Sequence, residues 1–368
     1  MKIVFACGGT GGHIFPAFSL AEELKRRDPA TQIIYVCGKK DIEAAIFKMV
    51  SDGTIISIES APFQGGSALF KPSFYFKLFS GFSQAFSLLK KERPDLVMGF
   101  GGYFSFPVVL MAKLLGIPAL LHEQNVIPGM ANKCLCRLAD GVALSYVETK
   151  AYLPSLKKIS VTGNPIRTSI EMDCRAEALS FFKFSRDKIT LLVLGGSQGA
   201  ESINTIFFEA LNHVSVNFIK KVQVLHLCGR LDPRVAQSTG NAKGITVQAY
   251  SFFERMDLAY GVTDFSLGRA GATFLAEIEV KKIPAILIPY PFGDGHQFLN
   301  AEVFAKHHDA VVAKQKELTP QRLAVFLEEM LNNVEFKKNN GNKMNGYHAP
   351  EKMSARQLLA NFIAEFKS

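Results

Sequence analysis

Tryptophan is absent from the sequence, and cysteine is scarce: Cys7, Cys37, Cys134, Cys136, Cys174 and Cys228 are the only six. None stands in a C-x-x-C pair or at a Cys/His spacing that would hold zinc, so no metal site and no disulfide framework is expected. Cys7, Cys37 and Cys228 lie in apolar runs, as reduced core thiols in a reducing compartment do. Long hydrophobic runs are missing too. No stretch of about 18 apolar residues occurs, which excludes a bilayer-spanning helix. The opening MKIVFACGG has too short an apolar part for a secretory signal and reads as a strand ending on glycine. Acidic residues are the scarcer charge, 33 against 42 Lys and Arg, for a net charge of +9. A basic surface suits anionic partners. Outside residues 69–93 the basic residues form no aromatic-studded platform, so nucleic acid is not an expected partner.

What the sequence does have is phenylalanine, 31 of them, and short unbroken Val, Ile and Leu runs between helical patterns. Strands are expected at 2–6, 33–36, 96–99 and 119–122. The first helix is expected over 15–27, with Pro16 in its first turn and Ala17, Leu20, Ala21 and Leu24 as its buried stripe. The pattern restarts with strands at 189–194, 222–227, 245–248, 264–267 and 285–288. Apolar strands between helices predict parallel sheets covered on both faces. The expected fold is α/β, with two doubly wound Rossmann-like halves and a cleft between them. The expected domains are 1–162, 163–340 and a tail, 341–368. The joint falls in VTGNPIR, and the polar stretch 337–347 precedes a last amphipathic helix over 354–366.

Each half has a glycine turn after its first strand: GGTGGH at 8–13 and GGSQGA at 195–200. Glycine there permits positive φ and close approach of a ligand to the backbone. The helix N-terminus behind it offers unpaired N–H groups and a positive dipole end, an anion site. A tight turn without ligand explains one such turn equally well; two, one per half, favour a site. Neither turn has the dinucleotide or Walker spacing, so NAD and ATP are disfavoured and no cofactor is expected.

Seven motifs occur in order: GGTGGH, GFGGY at 99–103, HEQN at 122–125, GNPIR at 163–167, GGSQG at 195–199, RAGATFLAE at 269–277 and HQFLNA at 296–301. Together they resemble the GT-B family of peptidoglycan N-acetylglucosaminyltransferases, over nearly the whole chain. The resemblance implies that the tail helix packs back on the first domain. It implies an inverting transfer from UDP-N-acetylglucosamine to the 4-hydroxyl of a polyprenyl-linked muramyl peptide, lipid I, without metal or covalent intermediate. The expected location is the cytoplasmic face of the bacterial membrane, bound peripherally.

The same resemblance assigns residues. His13 is the expected general base, since an imidazole with a pKa of about 6.5 can take a proton near neutrality. The alternatives are a His that caps the helix or binds phosphate, with Glu123 as rival base. Thr10, Gly11, Gly12, Asn125 and Arg167 match donor-site positions. Ser197 is expected on a phosphate and Phe253 beside the uracil. Ala272, Thr273, Phe274, Leu275, Ala276 and Glu277 start a helix facing the diphosphate, with Glu277 on the ribose. Gln297 and Asn300, at i and i+3, are expected on the sugar hydroxyls. Three positions depart from the family: Gly268 replaces the usual Ser or Cys, Phe274 replaces a small hydroxyl residue, and His296 stands where some members have a second Gln.

Residues 69–91 read LFKPSFYFKLFSGFSQAFSLLKK. Phe79 and Phe82, with Lys71 and Lys77, form an expected patch for an anionic membrane surface; a core helix is the competing explanation. Rival functions are another GT-B glycolipid transferase, which should lack HEQN and GNPIR together, and a sugar-nucleotide epimerase, which needs no membrane face.

Overall fold

The computed structural model describes residues 1–9, 11–38, 53–60, 72–155, 158–196, 199–292, 295–340 and 353–366. The chain divides into two compact units: unit 1 is Met1–Arg167 with Met353–Ser368, and unit 2 is Thr168–Lys352.

Unit 1 holds β1 (Lys2–Ala6), β2 (Gln32–Cys37), β3 (Thr54–Ser57), β4 (Leu96–Gly99), β5 (Ala119–Glu123), β6 (Gly141–Leu144) and β7 (Ile159–Val161). They form one sheet in the order β3-β2-β1-β4-β5-β6-β7. Every pairing is parallel. Because side chains alternate across a strand, β1 sends Ile3 and Phe5 into one core layer and Val4 and Ala6 into the other. Helix α1 (Gly11–Arg27) covers the first layer with Ala17, Leu20, Ala21 and Leu24. It begins earlier than the expected residue 15, directly behind the glycine turn. The second layer is covered by α2 (Pro72–Glu92) through Ala85, Leu88 and Leu89, and by α3 (Ser105–Leu114) through Val108, Val109 and Ala112. A short α4 (Met130–Leu135) follows the HEQN loop.

Unit 2 repeats the plan with β8 (Ile189–Leu194), β9 (Val222–Leu227), β10 (Thr246–Tyr250), β11 (Phe265–Gly268), β12 (Ala285–Leu287) and β13 (Ala310–Val312). Their order, β10-β9-β8-β11-β12-β13, is again wholly parallel. The helices that position its site are α5 (Glu201–Ala210), α6 (Ala272–Val280) and α7 (His296–Ala305). Helix α8 (Pro320–Asn340) packs Leu323, Leu327 and Leu331 into the core, so the polar stretch expected from 337 is helical as far as 340.

The final helix α9 (Ala355–Ala364) belongs to unit 1, where Leu359, Phe362 and Ile363 join the layer of Ile3 and Phe5. Buried Glu23 braces Arg27, which donates to Asn361 Oδ1 at 2.7 Å and to the Gln357 carbonyl at 3.0 Å. GNPIR, expected to open the second domain, instead closes unit 1, because His122 holds the Gly163 carbonyl and Arg167 lies over Phe15.

Candidate functional site

In unit 1 the first glycine turn runs straight into α1, and His13 sits in the first helical turn. Its Nδ1 lies 3.2 Å from the Gly8 carbonyl. A carbonyl only accepts, so Nδ1 carries the hydrogen and donates, and Nε2 is the basic nitrogen of the neutral ring. The imidazole is flanked by Gly101 and Gly102, at φ +89 and +74. A Cβ at Gly101 would lie 3.3 Å from His13 Cδ2 and Nε2, and one at Gly102 would lie 3.1 Å from the Gly8 carbonyl. That is the physical reason for glycine in GFGGY: positive φ and a ring against the backbone. Gly11 and Gly12 lie in the same first turn. Thr10 lies outside the described residues.

Glu123, the rival base, is buried at the end of β5. Its Oε1 accepts from the Asn125 backbone N–H (2.9 Å) and Nδ2 (3.3 Å), and its Oε2 from Gly129 N–H (3.0 Å) and Asn132 Nδ2 (2.7 Å). Four donors occupy a carboxylate's lone pairs. Glu123 therefore organises the HEQN loop, and Asn125 is tied to it. His122 beside it is wholly buried; desolvation pushes its pKa down to about 4, against the raising effect of the Gly163 carbonyl 3.1 Å from Nε2. The Arg167 guanidinium lies 4.6 Å from the centre of the Phe15 ring, two residues along α1 from His13.

In unit 2 the second turn has Gly196 and Gly199 at positive φ, and Gly199 N–H donates to the Gly196 carbonyl at 2.9 Å. Gly199 packs on β9's end: an added Cβ would lie 2.6 Å from Gly229 Cα. Ser197 lies outside the described residues. Helix α6 starts at Ala272 after Gly271, whose missing side chain gives no cap to the first N–H groups. Ala272, Phe274, Leu275 and Glu277 are buried, while Thr273 and Ala276 are half-buried. Glu277 Oε2 accepts from the Tyr260 hydroxyl at 2.7 Å. Phe253, half-buried after β10, packs its ring against Tyr250, Phe182 and Phe181 at 4.9, 5.3 and 5.8 Å.

Gln297 is the keystone here. Its Oε1 accepts from the Ala270 N–H at 3.2 Å and the Tyr290 N–H at 3.0 Å, which leaves its Nε2 to donate to a ligand oxygen. Asn300 lies deeper on the same helix. It is fully buried, with Nδ2 3.4 Å from the Ala270 carbonyl, and supports the turn before α6. The shared face of α7 faces inward at that depth. The residue that sequence reasoning left without a role is Arg269. Buried, it donates to the Ile288 and Pro289 carbonyls (3.0 and 3.1 Å) and to Ser202 Oγ (3.0 Å), joining three βα connections. Desolvation lowers its pKa. A lone Arg in an otherwise apolar-and-small motif, RAGATFLAE, was the available signal.

Two of the departures from the family pattern are neighbours in space. A Cβ at Gly268 would lie 2.8 Å from the Leu194 carbonyl, which crowds it, and 3.4 Å from Phe274 Cε1, an ordinary contact.

On α2, Phe79 is 74% exposed and Lys77 is exposed. Phe82 is a correction: its ring packs at 6.0 Å on Phe106 of α3. At 100° per residue it sits about 60° round the helix from Phe79, toward α3. Phe76, 76% exposed, joins Phe79, Tyr75 and Phe86 on the outer face. Lys71 lies outside the described residues. Among the described residues no helix is long and apolar enough to cross a membrane, and no three His, Cys, Asp or Glu side chains form a metal cluster.

Two all-parallel sheets of repeated order, each with a glycine-rich turn behind its first strand, define a GT-B glycosyltransferase architecture. The family model for the glycosyltransferase family 28 N-terminal domain matches residues 3–144, and that for its C-terminal domain matches residues 190–358. A transferase from Halothermothrix orenii, named UDP-N-acetylglucosamine--N-acetylmuramyl-(pentapeptide) pyrophosphoryl-undecaprenol N-acetylglucosamine transferase, is 39% identical over 90% of this chain and 91% of its own. One of the same name from Desulforamulus reducens is 34% identical over 96% of both. The crystal structure of MurG from Acinetobacter baumannii superimposes with a TM-score of 0.73, at 26% identity over 99% of both chains. The kitacinnamycin glycotransferase shares the fold, at TM-score 0.66 and 14% identity over 100% of this chain and 99% of its own. The chain belongs to glycosyltransferase family 28.

Proposed function

We propose that this protein transfers N-acetylglucosamine from UDP-N-acetylglucosamine to the 4-hydroxyl of the muramic acid in lipid I, with inversion, giving lipid II for peptidoglycan. The observation that carries the reading is the shared name of relatives 34 to 39% identical over about nine-tenths or more of the chain. In this reading His13 Nε2 takes the proton of the acceptor hydroxyl. That oxygen bonds to the anomeric carbon as the bond to the diphosphate breaks, and UDP leaves with the electron pair. The uncapped N-terminus of α6 and the second glycine turn stabilise the charge on the leaving diphosphate. Gln297 Nε2 donates to a sugar hydroxyl and Glu277 receives the ribose, while Arg167 and Asn125 of unit 1 keep the donor-binding roles that the family resemblance implies. The His13 tautomer supports the base assignment, and the saturated Glu123 carboxylate argues against its rival.

The acceptor's polyprenyl chain requires a bilayer, and the outer face of α2 suits one at the cytoplasmic side. Tyr75, Phe76, Phe79 and Phe86 with Lys77, Lys90 and Lys91 make an interfacial face, apolar and basic together. The test is release of UDP from UDP-N-acetylglucosamine on addition of lipid I in vesicles. His13→Ala should lower kcat roughly 10²–10⁴-fold with donor Kd nearly unchanged. A loss confined to donor Kd would make His13 a phosphate ligand. Phe76→Ser with Phe79→Ser should weaken vesicle co-sedimentation and spare donor binding; equal sedimentation with the unaltered chain would remove the membrane face from α2.

A further inference from the structure

The connection from β12 to α7 carries two aromatic rings that the donor reading does not use. Phe292 is 66% exposed and Tyr290 47%. Exposed aromatic rings keep apolar faces in water, a cost that a ligand relieves. These rings are not on a loose tether. Buried Arg269 holds the carbonyls of Ile288 and Pro289 and lies 5.5 Å from the centre of the Tyr290 ring. The Tyr290 N–H donates to Gln297 Oε1, the oxygen that also takes the Ala270 N–H. The two rings meet at 5.4 Å and 63°, so each fixes the other. The connection leaves the carboxyl end of β12, the end of an open parallel sheet where ligands bind.

We propose that Tyr290 and Phe292 form an aromatic platform for the apolar face of the transferred N-acetylhexosamine ring. The proposal rests on the donor reading above. The hydrogen bond from the Tyr290 N–H to Gln297 Oε1 fixes the platform to the carboxamide whose Nε2 the donor reading assigns to the sugar. A pyranose ring has polar edges and C–H-lined faces. Gln297 reads an edge and the aromatic rings take a face, which is how a small pocket orients a polar ring with few hydrogen bonds. The partner predicted by this chemistry is the sugar and not the nucleotide.

The experiment is calorimetric titration of the full chain with UDP-N-acetylglucosamine and, separately, with UDP. Phe292→Ala and Tyr290→Ala should each raise the Kd for the sugar nucleotide roughly three- to tenfold and leave that for UDP within about twofold. Phe292→Tyr, which keeps a ring face, should restore the sugar nucleotide affinity. Equal weakening for both ligands would mean that the loop serves the site only as structure, and no weakening for either would remove the platform; both outcomes overturn the proposal. Weaker sedimentation with anionic vesicles at unchanged sugar-nucleotide affinity would give the rings to lipid, which also overturns it. An unaltered chain that binds UDP but not UDP-N-acetylglucosamine would sink the donor reading itself.

Discussion

Each unit buries one histidine on a strand next to its glycine-turn machinery, and the two are treated differently. In unit 1, His122 on β5 donates from Nε2 to the Gly163 carbonyl at 3.1 Å and accepts at Nδ1 from Gln124 Nε2 at 3.0 Å. Both nitrogens are satisfied, and the ring joins HEQN to GNPIR. In unit 2, His226 on β9 lies between Phe207 and Phe208 and reaches Asn204 Oδ1 from Nε2 at 2.8 Å. Asn204 Nδ2 donates to the Cys228 carbonyl, so Oδ1 accepts and Nδ1 of His226 is a buried acceptor with no partner. One histidine is a polar fastener between two motifs. The other is largely an aromatic ring packed edge-on and tilted against two phenylalanines, with one hydrogen bond to Asn204.

Acid should act on both units, and this is the largest effect expected. Burial lowers both histidines from about 6.5 to about 4. The folded pKa is the depressed one, so between those values the unfolded chain binds the proton first. The stability present above about pH 6.5 is lost as the pH falls to about 4. For each unit the loss approaches about 3 kcal/mol, from 2.5 units at 1.36 kcal/mol each. Hydrogen exchange read separately on β5 and β9 should follow this window. His226→Phe removes the titrating group from unit 2 alone, so β9 should keep more of its protection at low pH while β5 still loses it. Parallel loss in both strands of that variant would assign the acid response to other groups.

At about pH 8, with both rings neutral, the comparison turns on hydrogen bonds. His122→Phe deletes two, while Gln124 Nε2 keeps the Phe100 carbonyl at 2.9 Å, for an expected loss of about 2 kcal/mol. His226→Phe deletes one and removes an unpaired acceptor at the same time, for about 1 kcal/mol. Denaturant midpoints at constant slope measure both. Equal losses would show that the bare Nδ1 of His226 is satisfied in solution.

Much of this was legible in the sequence. The strands over 2–6, 96–99, 189–194 and 222–227 match their expected bounds, because each is an unbroken apolar run bounded by turn residues. The first helix starts at Gly11, inside a glycine turn that gives no periodicity to read. Strands as short as β7 and β13 are too brief to stand out from loops. The site was legible as a set of motifs but not as a set of contacts. Glu123 is saturated by residues up to nine positions away, and Arg269 finds Ser202 sixty-seven positions back. Such pairings depend on the sheet order, which local pattern does not encode. The packing of Phe82 on α3 was hidden for a related reason: helical spacing assigns a face, but only packing says which face meets solvent.

The smallest effect tests how deep the repeat between the units runs. The fourth strand of each sheet ends on glycine, Gly99 in β4 and Gly268 in β11. A Cβ at Gly99 would meet only side chains, with Val109 Cγ2 at 2.9 Å, Leu121 Cδ2 at 3.0 Å and Ser105 Cβ at 3.3 Å. At Gly268 the nearest atom is the Leu194 carbonyl oxygen at 2.8 Å, followed by Leu194 Cδ2 at 3.2 Å and Phe274 Cε1 at 3.4 Å. Side-chain ends in a packed core yield by rotamer adjustment, whereas a strand carbonyl in a parallel ladder does not. Alanine at either position should cost about 1–3 kcal/mol through overpacking, with the greater loss at 268. Phe274→Leu should recover part of the Gly268→Ala loss and none of the Gly99→Ala loss. The recovery should be a coupling of no more than about 0.5 kcal/mol, because the ring is in ordinary contact at 3.4 Å and the crowding carbonyl stays in place. A double-mutant cycle on unfolding free energy measures it. Zero coupling would mean that Gly268 answers to Leu194 alone, and that Phe274 at the start of α6 must be explained without it.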